Sequence, residues 1–175
     1  SITPMGQETK VVQNEAARLS LLHDIGIVSS EEVVRWADEL IVGEPKPSRE
    51  VIELSTASSK DVSDAIKALS TGADVWLPVE NALPRILEFV TAHPDHAPIV
   101  ARAFYHIAVT QKYEVPDSLR FILSADDDFD LAASGVYLLA DVYPWFIDGL
   151  KTAIAAKKEP IQGTVDCSGA SRLRA

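Results

Sequence analysis

Four histidines, one cysteine and a run of aspartates are the residues of this chain whose types suggest chemistry. His93 and His96 stand three apart among prolines and His106 follows later, so three imidazoles are candidates for a zinc site. No cysteine lies nearby and the flanking prolines are typical of a surface connection, so we expect no zinc there. The sequence leaves open whether the three histidines converge. His106 stands on a predicted amphipathic helix, where we expect a partly buried side chain.

The densest acidic run suggests a second kind of site. It contains four aspartates: Asp126, Asp127, Asp128 and Asp130. Carboxylates at alternate positions can share a calcium ion, but an EF-hand loop starting at Asp126 needs glycine and glutamate where this chain has Leu131 and Tyr137. We therefore predict a solvated helix end or loop, and these four aspartates are the candidate contacts for a basic partner.

A histidine and an aspartate stand side by side before Gly26, as His23 and Asp24. Residues 21–26 resemble the His-Asp pair of the HD-domain metal-dependent phosphohydrolases, which implies that His23 and Asp24 would ligate a catalytic metal. The sequence departs from that pattern, because Ile27 stands where the family has lysine and no histidine precedes His23. Two ligands do not hold a hydrolytic metal, so we predict a plain helix end, with no bound metal or other cofactor. The phosphohydrolase remains the alternative function.

The single cysteine, Cys167, cannot form an internal disulfide, which fits a reducing compartment. It lies in residues 160–175, which are rich in Gly, Ser, Thr and Arg and which we expect to be a disordered tail without a catalytic thiol. The start of the sequence shows no secretory leader, and nowhere do about 18 apolar residues run together. We therefore expect a cytoplasmic protein that crosses no membrane.

The charge of the chain limits its partners. Twenty-six acidic residues against 16 Lys and Arg give a formal net charge of -10. Such a chain repels nucleic-acid phosphates and anionic membrane surfaces, so neither is an expected partner. The surplus acid serves solubility or, alternatively, attracts a basic protein. The sequence does not indicate the oligomeric state.

Helix signals recur throughout residues 1–159, where apolar residues repeat at three- and four-residue steps. About eight helices of roughly 8–17 residues are predicted, joined by short loops that favour antiparallel neighbours. We therefore predict an all-α fold, a compact bundle or stack in a single domain of residues 1–159. Trp36 and Leu40 share one helix face and are expected to be buried. The helix-boundary residues are predicted to be Ser29, Ser48, Ser58 or Ser59, and Asp141 as N-caps, and Gly26, Gly72 and Gly135 as helix ends.

Two stretches, residues 33–41 and Pro47 followed by residues 51–55, resemble a small all-helical bacterial family with no assigned activity. The overall profile is similar to that of immunity proteins, small acidic helical chains that neutralise a toxin by binding it. The resemblance implies binding rather than catalysis and transfers no functional residue. We therefore predict a non-enzymatic protein-binding module, of immunity or regulatory type, that binds a basic partner.

Overall fold

The computed structural model describes residues 5–158, with side-chain surroundings from residue 9 onward. This part of the chain is 76% helical, with eight α-helices and no strand, which confirms the all-α prediction. The α-helices in chain order are α1 (Met5–Asp24), α2 (Ser30–Gly43), α3 (Arg49–Ser55), α4 (Val62–Leu69), α5 (Trp76–Ala92), α6 (Ala97–Thr110), α7 (Ile122–Ala133) and α8 (Leu139–Lys158). Two short 3-10 helices, Pro94–His96 and Asp117–Leu119, precede α6 and α7. The predicted tail, including Cys167, lies outside the described residues.

Two serines cap helices as their sequence positions predict. The hydroxyl of Ser29 accepts a hydrogen bond from the N–H of Glu32 at 3.2 Å, and that of Ser48 accepts one from the N–H of Val51 at 3.3 Å. Each bond satisfies one of the N–H groups that the first turn leaves without a helical partner.

Gly26 ends α1 in the left-handed conformation, with φ +78°. The N–H of Ile27 donates to the carbonyl of Leu22 at 2.8 Å, and that of Gly26 donates to the carbonyl of His23 at 3.1 Å. This pair of bonds is the Schellman arrangement, in which a residue without a Cβ is favoured at the turning point. The predicted helix end at Gly26 is therefore confirmed.

Two of the predicted N-caps are wrong. Helix α4 is preceded by Asp61 rather than by Ser58 or Ser59, and the Ser58 hydroxyl bonds the Asp61 carboxylate at 2.5 Å instead of a backbone N–H. Helix α8 starts at Leu139, so Asp141 lies in its first turn. A carboxylate there interacts favourably with the helix dipole but does not cap the helix.

Two further sequence features have simple structural outcomes. Residues 136–139, a brief stretch whose sequence is strand-like, form the turn after Gly135 and the first residue of α8. All four side chains there are exposed. Pro84, a residue that usually begins or kinks a helix, lies inside α5. None of the helices within residues 5–158 combines the length and the apolar character needed to cross a membrane.

Helix α5 occupies the centre of the packing. It contacts both α1 and α8, while α2 packs on α3, α1 on α4, and α7 on both α6 and α8. The largest side chains of the core are fully enclosed, among them Phe104, Phe146, Leu22 and Ile86. The α5 helix therefore joins the helices that precede it to those that follow.

The expected burial of Trp36 and Leu40 is only partly right. Both side chains pack against the core but remain partly exposed, whereas Val33 and Ala37 are the buried residues of α2. The apolar stripe of α2 is wider than the surface that its neighbouring helices cover. Trp36 and Leu40 therefore lie at the edge of the contact between α2 and the core.

Polar contacts fix both ends of the described chain to the region where α5 begins. The ammonium of Lys10 lies 3.2 Å from the Asp74 carboxylate, and the Asn14 side chain exchanges two hydrogen bonds with Asp74, at 2.8 and 3.0 Å. Near the other end, Lys157 donates to the side chain of Asn81.

Candidate functional site

An open groove of about 550 Å³ lies between α1 and α6. We call it the α1–α6 groove. Aliphatic side chains from both helices line it, together with a few polar residues. The lining residues are Ala17, Ser20, Leu21, Asp24, Ile25 and Ser70 on one side, and Ile99, Arg102, Ala103, His106 and Ile107 on the other.

Each wall of the groove is a row of apolar residues spaced by four. Such residues lie one above another on a helix face, so each row forms a continuous ridge. On α1 the row lies beside the core-facing residues Ala16, Leu19 and Leu22. On α6 it lies beside the core-facing Val100 and Phe104. The two rows are Ala17 and Leu21 on α1, followed just past the end of that helix by the nearly buried Ile25, and Ile99, Ala103 and Ile107 on α6.

The groove remains open because its two walls pack on different neighbours. Helix α1 packs on α4 and α5, whereas α6 packs mainly on α7. The Nε2 of His96 hydrogen bonds the carbonyl of Ile25, which ties the start of α6 to the end of α1. The ring of Phe89 stacks on His93 at 4.4 Å and meets His96 edge-on at 4.9 Å, so the connection is held in place.

Ser20 is a buried polar residue that lines the groove, and only 7% of its surface is exposed. Its hydroxyl forms no hydrogen bond with another described residue. No side-chain nitrogen or oxygen among the described residues is both fully enclosed and unbonded, so this hydroxyl retains some accessible surface. It therefore opens onto the groove. A buried hydroxyl without a protein partner retains its full capacity to donate and to accept.

Arg102 connects the edge of the groove to the acidic run on α7. Its Nε lies 3.3 Å from a carboxylate oxygen of Asp126, and its Nη2 lies 3.2 Å from one of Asp130. Asp126 and Asp130 are four residues apart and so share one helix face. One guanidinium thus faces two carboxylates, and this edge keeps a formal surplus of one negative charge.

The four candidate aspartates therefore divide into two pairs. They lie within α7. The sequence had indicated a helix end or a loop, and that prediction is wrong. Asp126 and Asp130 are paired with Arg102, while Asp127 and Asp128 form no ion pair within the described part of the chain. Asp126 is the least exposed of the paired carboxylates, at 15%, and Asp127 is exposed.

His23 and Asp24 have separate partners. The Nε2 of His23 lies 3.1 Å from the hydroxyl of Ser30, and Asp24 lies 3.7 Å from the ammonium of Lys67. The helix end predicted here is present. Across residues 5–158 no group of three or more His, Cys, Asp or Glu side chains is arranged to hold a metal ion.

The other three histidines do not form one site. His93 and His96 both contact Phe89, while His106 lines the α1–α6 groove. His106 is exposed, so the expectation that it would be partly buried is wrong.

The sequence contains one signal for the groove that the sequence analysis did not use. Helices α1 and α6 each carry two adjacent apolar rows, one facing the core and one facing the groove. A helix that packs against a single neighbouring surface needs only one such row. The second row is therefore the feature that sequence reasoning could have used.

A second open groove, of about 430 Å³, lies beside α2. Five of its eight lining residues are polar or charged, among them Glu31, Arg35 and Asp38. Asp38 is also bonded by the hydroxyl of Ser55. This groove has no continuous apolar rows.

No protein-family model, curated protein or solved structure matches this chain.

Proposed function

We propose that this protein is a non-enzymatic binding module that recognises a basic partner protein through the α1–α6 groove. The observation that carries the proposal is the pair of facing aliphatic rows, which leave apolar surface accessible next to a surplus of carboxylate. Accessible apolar surface with a polar edge is typical of protein-binding sites.

The charge of the chain supports a basic protein over other partners. With a formal net charge of -10, the protein attracts cationic surfaces and repels phosphate backbones and anionic lipids. Within this proposal the module acts in the cytoplasm, as an immunity-type or regulatory protein. Binding by such a module occludes or holds its partner and requires no catalytic residue.

Site-specific photocrosslinking tests the proposal. A benzophenone amino acid replaces Ile99, which is 50% exposed on the groove wall, and in a matched protein it replaces Ile52, which is 45% exposed on α3 and outside the groove. After irradiation in extracts of the native host, we expect a discrete protein adduct at position 99 and none at position 52.

The adduct is then identified by mass spectrometry, and the proposal requires a basic partner. Equal labelling at both positions, or no protein adduct at position 99, would show that the groove does not bind a partner. An adduct with an acidic protein would contradict the electrostatic part of the proposal.

A further inference from the structure

We infer that the occupant of the α1–α6 groove is an amphipathic helix that carries aliphatic side chains on one face and Lys or Arg beside them. This inference rests on the proposed function and specifies the kind of segment that binds. It follows from the shape of the apolar rows, the unpartnered hydroxyl of Ser20 and the charge around Arg102.

The shape of the site favours a helix. The α6 row extends over three residues spaced by four, from Ile99 to Ile107, a length of about 12 Å at the helical rise of 1.5 Å per residue. Opposite it stand Ala17 and Leu21 of α1. About two turns of a partner helix cover that length. Ridges of residues spaced by four pack between the ridges of a third helix, as helices do in bundles and in groove complexes.

Ser20 supplies a polar contact in the lining of the groove. A purely aliphatic occupant would bury its hydroxyl without a hydrogen bond, at a cost in affinity. We therefore expect the apolar face of the occupant to include one small polar side chain, such as Ser, Thr or Asn, that meets Ser20.

The charge around Arg102 favours a cationic occupant. Arg102 lies on the edge of the groove and already faces the carboxylates of Asp126 and Asp130. A partner Lys or Arg adds a second cation to the two anions and balances their charge. An anionic partner would instead compete with those two carboxylates for one guanidinium.

A labelled peptide provides the direct test. The probe is an 18-residue helical peptide with leucines at four-residue spacing, one serine among them and lysines on both flanks, and its binding is followed by fluorescence anisotropy. The comparison peptides are a scrambled sequence of the same composition and a version in which glutamate replaces every lysine. We expect the lysine helix to bind and both comparison peptides to bind at least about tenfold more weakly.

Two variants test the groove itself. Ile99→Asp places a charge on the apolar wall and is expected to weaken binding by about tenfold or more. Ile52→Asp changes an isoleucine of similar exposure outside the groove and is expected to leave binding unchanged. Circular dichroism confirms that both variants fold, and equal weakening by both would overturn the assignment of the peptide to the groove.

Replacing Arg102 distinguishes the sign of the occupant's charge. Arg102→Ala releases Asp126 and Asp130, so we expect the lysine helix to bind roughly two- to fivefold more tightly. The double variant Asp126→Asn and Asp130→Asn is expected to weaken binding by a similar factor. Weaker binding after Arg102→Ala would show that the arginine itself holds the occupant, and it would overturn the inference.

The outcomes separate this inference from the proposed function. A basic-protein adduct at position 99 together with no binding of the lysine helix would keep the proposed function and reject the helical occupant. Dimers that form with rising concentration and disappear in Ile99→Asp would assign the groove to a second copy of this chain, and would also reject the inference.

Discussion

Asp74 shows at the scale of one residue how α1 is attached to the loop before α5. Its carboxylate accepts hydrogen bonds from the side chain of Asn14 and from Lys10, and these contacts lower its pKa from the ordinary value. The bond from Asn14 is the largest cause, followed by that from Lys10. Nothing in the local sequence predicts this contact, because the residues stand sixty positions apart in the chain.

The first prediction concerns the titration of Asp74. We expect NMR to show that it loses its proton at a pH below the usual aspartate range, and that Asn14→Ala moves its pKa back toward that range. Because the folded pKa is lowered, the unfolded chain binds more protons near the ordinary pKa. The stabilisation by Asp74 is therefore complete above the unfolded pKa, and it is lost as the pH falls through the folded pKa.

Asn81→Ala serves as the control for this titration, since Asn81 bonds Lys157 and not Asp74. An Asp74 titration that is identical with and without Asn14 would contradict the assigned cause.

Lys112 and Tyr113 end α6 in a conformation that lysine and tyrosine rarely adopt. Their φ angles are +54° and +63°, in the left-handed region, where L-residues with a Cβ are strained. The N–H of Tyr113 donates to the carbonyl of Ala108 at 2.8 Å, so the helix end has the same arrangement as at Gly26 but without the glycine.

We predict that Lys112→Gly raises the free energy of unfolding by about 0.5–1 kcal/mol, because relief of the backbone strain exceeds the added entropy of glycine in the unfolded chain. Chemical denaturation measures the change. Gln111→Gly is the matched control. Gln111 has φ -90°, an unstrained angle, so replacing it with glycine is expected to lower the free energy of unfolding. A Lys112→Gly protein less stable than the parent would show that the lysine side chain stabilises this end.

At the scale of the helix, Gly149 shows why a residue of low helix propensity stands in the middle of α8. A Cβ at this position would lie 2.6 Å from Cδ2 and 2.7 Å from Cγ of Phe121. The ring of Phe121 in turn packs against that of Phe146, with centroids 5.8 Å apart. The glycine therefore allows the segment before α7 to approach α8 closely.

We expect Gly149→Ala to lower the free energy of unfolding by roughly 0.5–2 kcal/mol, because overpacking against the ring outweighs a gain of about 1 kcal/mol in helix propensity. Thermal and urea unfolding both report the change. Gly43→Ala, at the end of α2, meets no atom within 4 Å, and it is expected to be neutral or to stabilise by a few tenths of a kcal/mol. Equal effects of the two substitutions would contradict the close-packing explanation.

The helices themselves were largely predictable from the sequence, because they depend on local signals. Apolar spacing, Ser29, Ser48 and Gly26 are interpretable within one or two turns, and all of them have the expected outcome. The partial exposure of Trp36 was not predictable, since it depends on how far α2 is covered by its neighbours. The groove was predictable only in part: the second apolar rows of α1 and α6 are visible in the sequence, but that they stay uncovered depends on α1 and α6 packing on different helices.

At the scale of the whole molecule, α5 joins the helices before it to those after it. Its buried residues include Leu83 and Ile86, and it packs against both α1 and α8. A core shared in this way favours unfolding in one cooperative step. That the chain forms a single domain over residues 1–159 remains a prediction.

We test the prediction with two proteins that each keep one tryptophan, Trp36 on α2 or Trp145 on α8, with the other tryptophans replaced by phenylalanine. Their urea transitions, followed by fluorescence, are expected to coincide with each other and with circular dichroism. Ile86→Ala should shift both transitions together, at a cost of about 2–5 kcal/mol. Transitions that separate, or a shift confined to one of them, would indicate two independently folding units.

The contacts of Lys10 and Lys157 have a consequence for chain connectivity. Lys10 contacts the residues just before α5, and Lys157 contacts Asn81 in its second turn, so side chains near both ends of the helical array reach the start of α5. A linker that passes the start of α5 could join the two ends, and new ends could be opened in the exposed turn at Tyr113, which follows α6. Such a circular permutant would keep every helix and every packing contact while reversing the order in which the two groups of helices are synthesised.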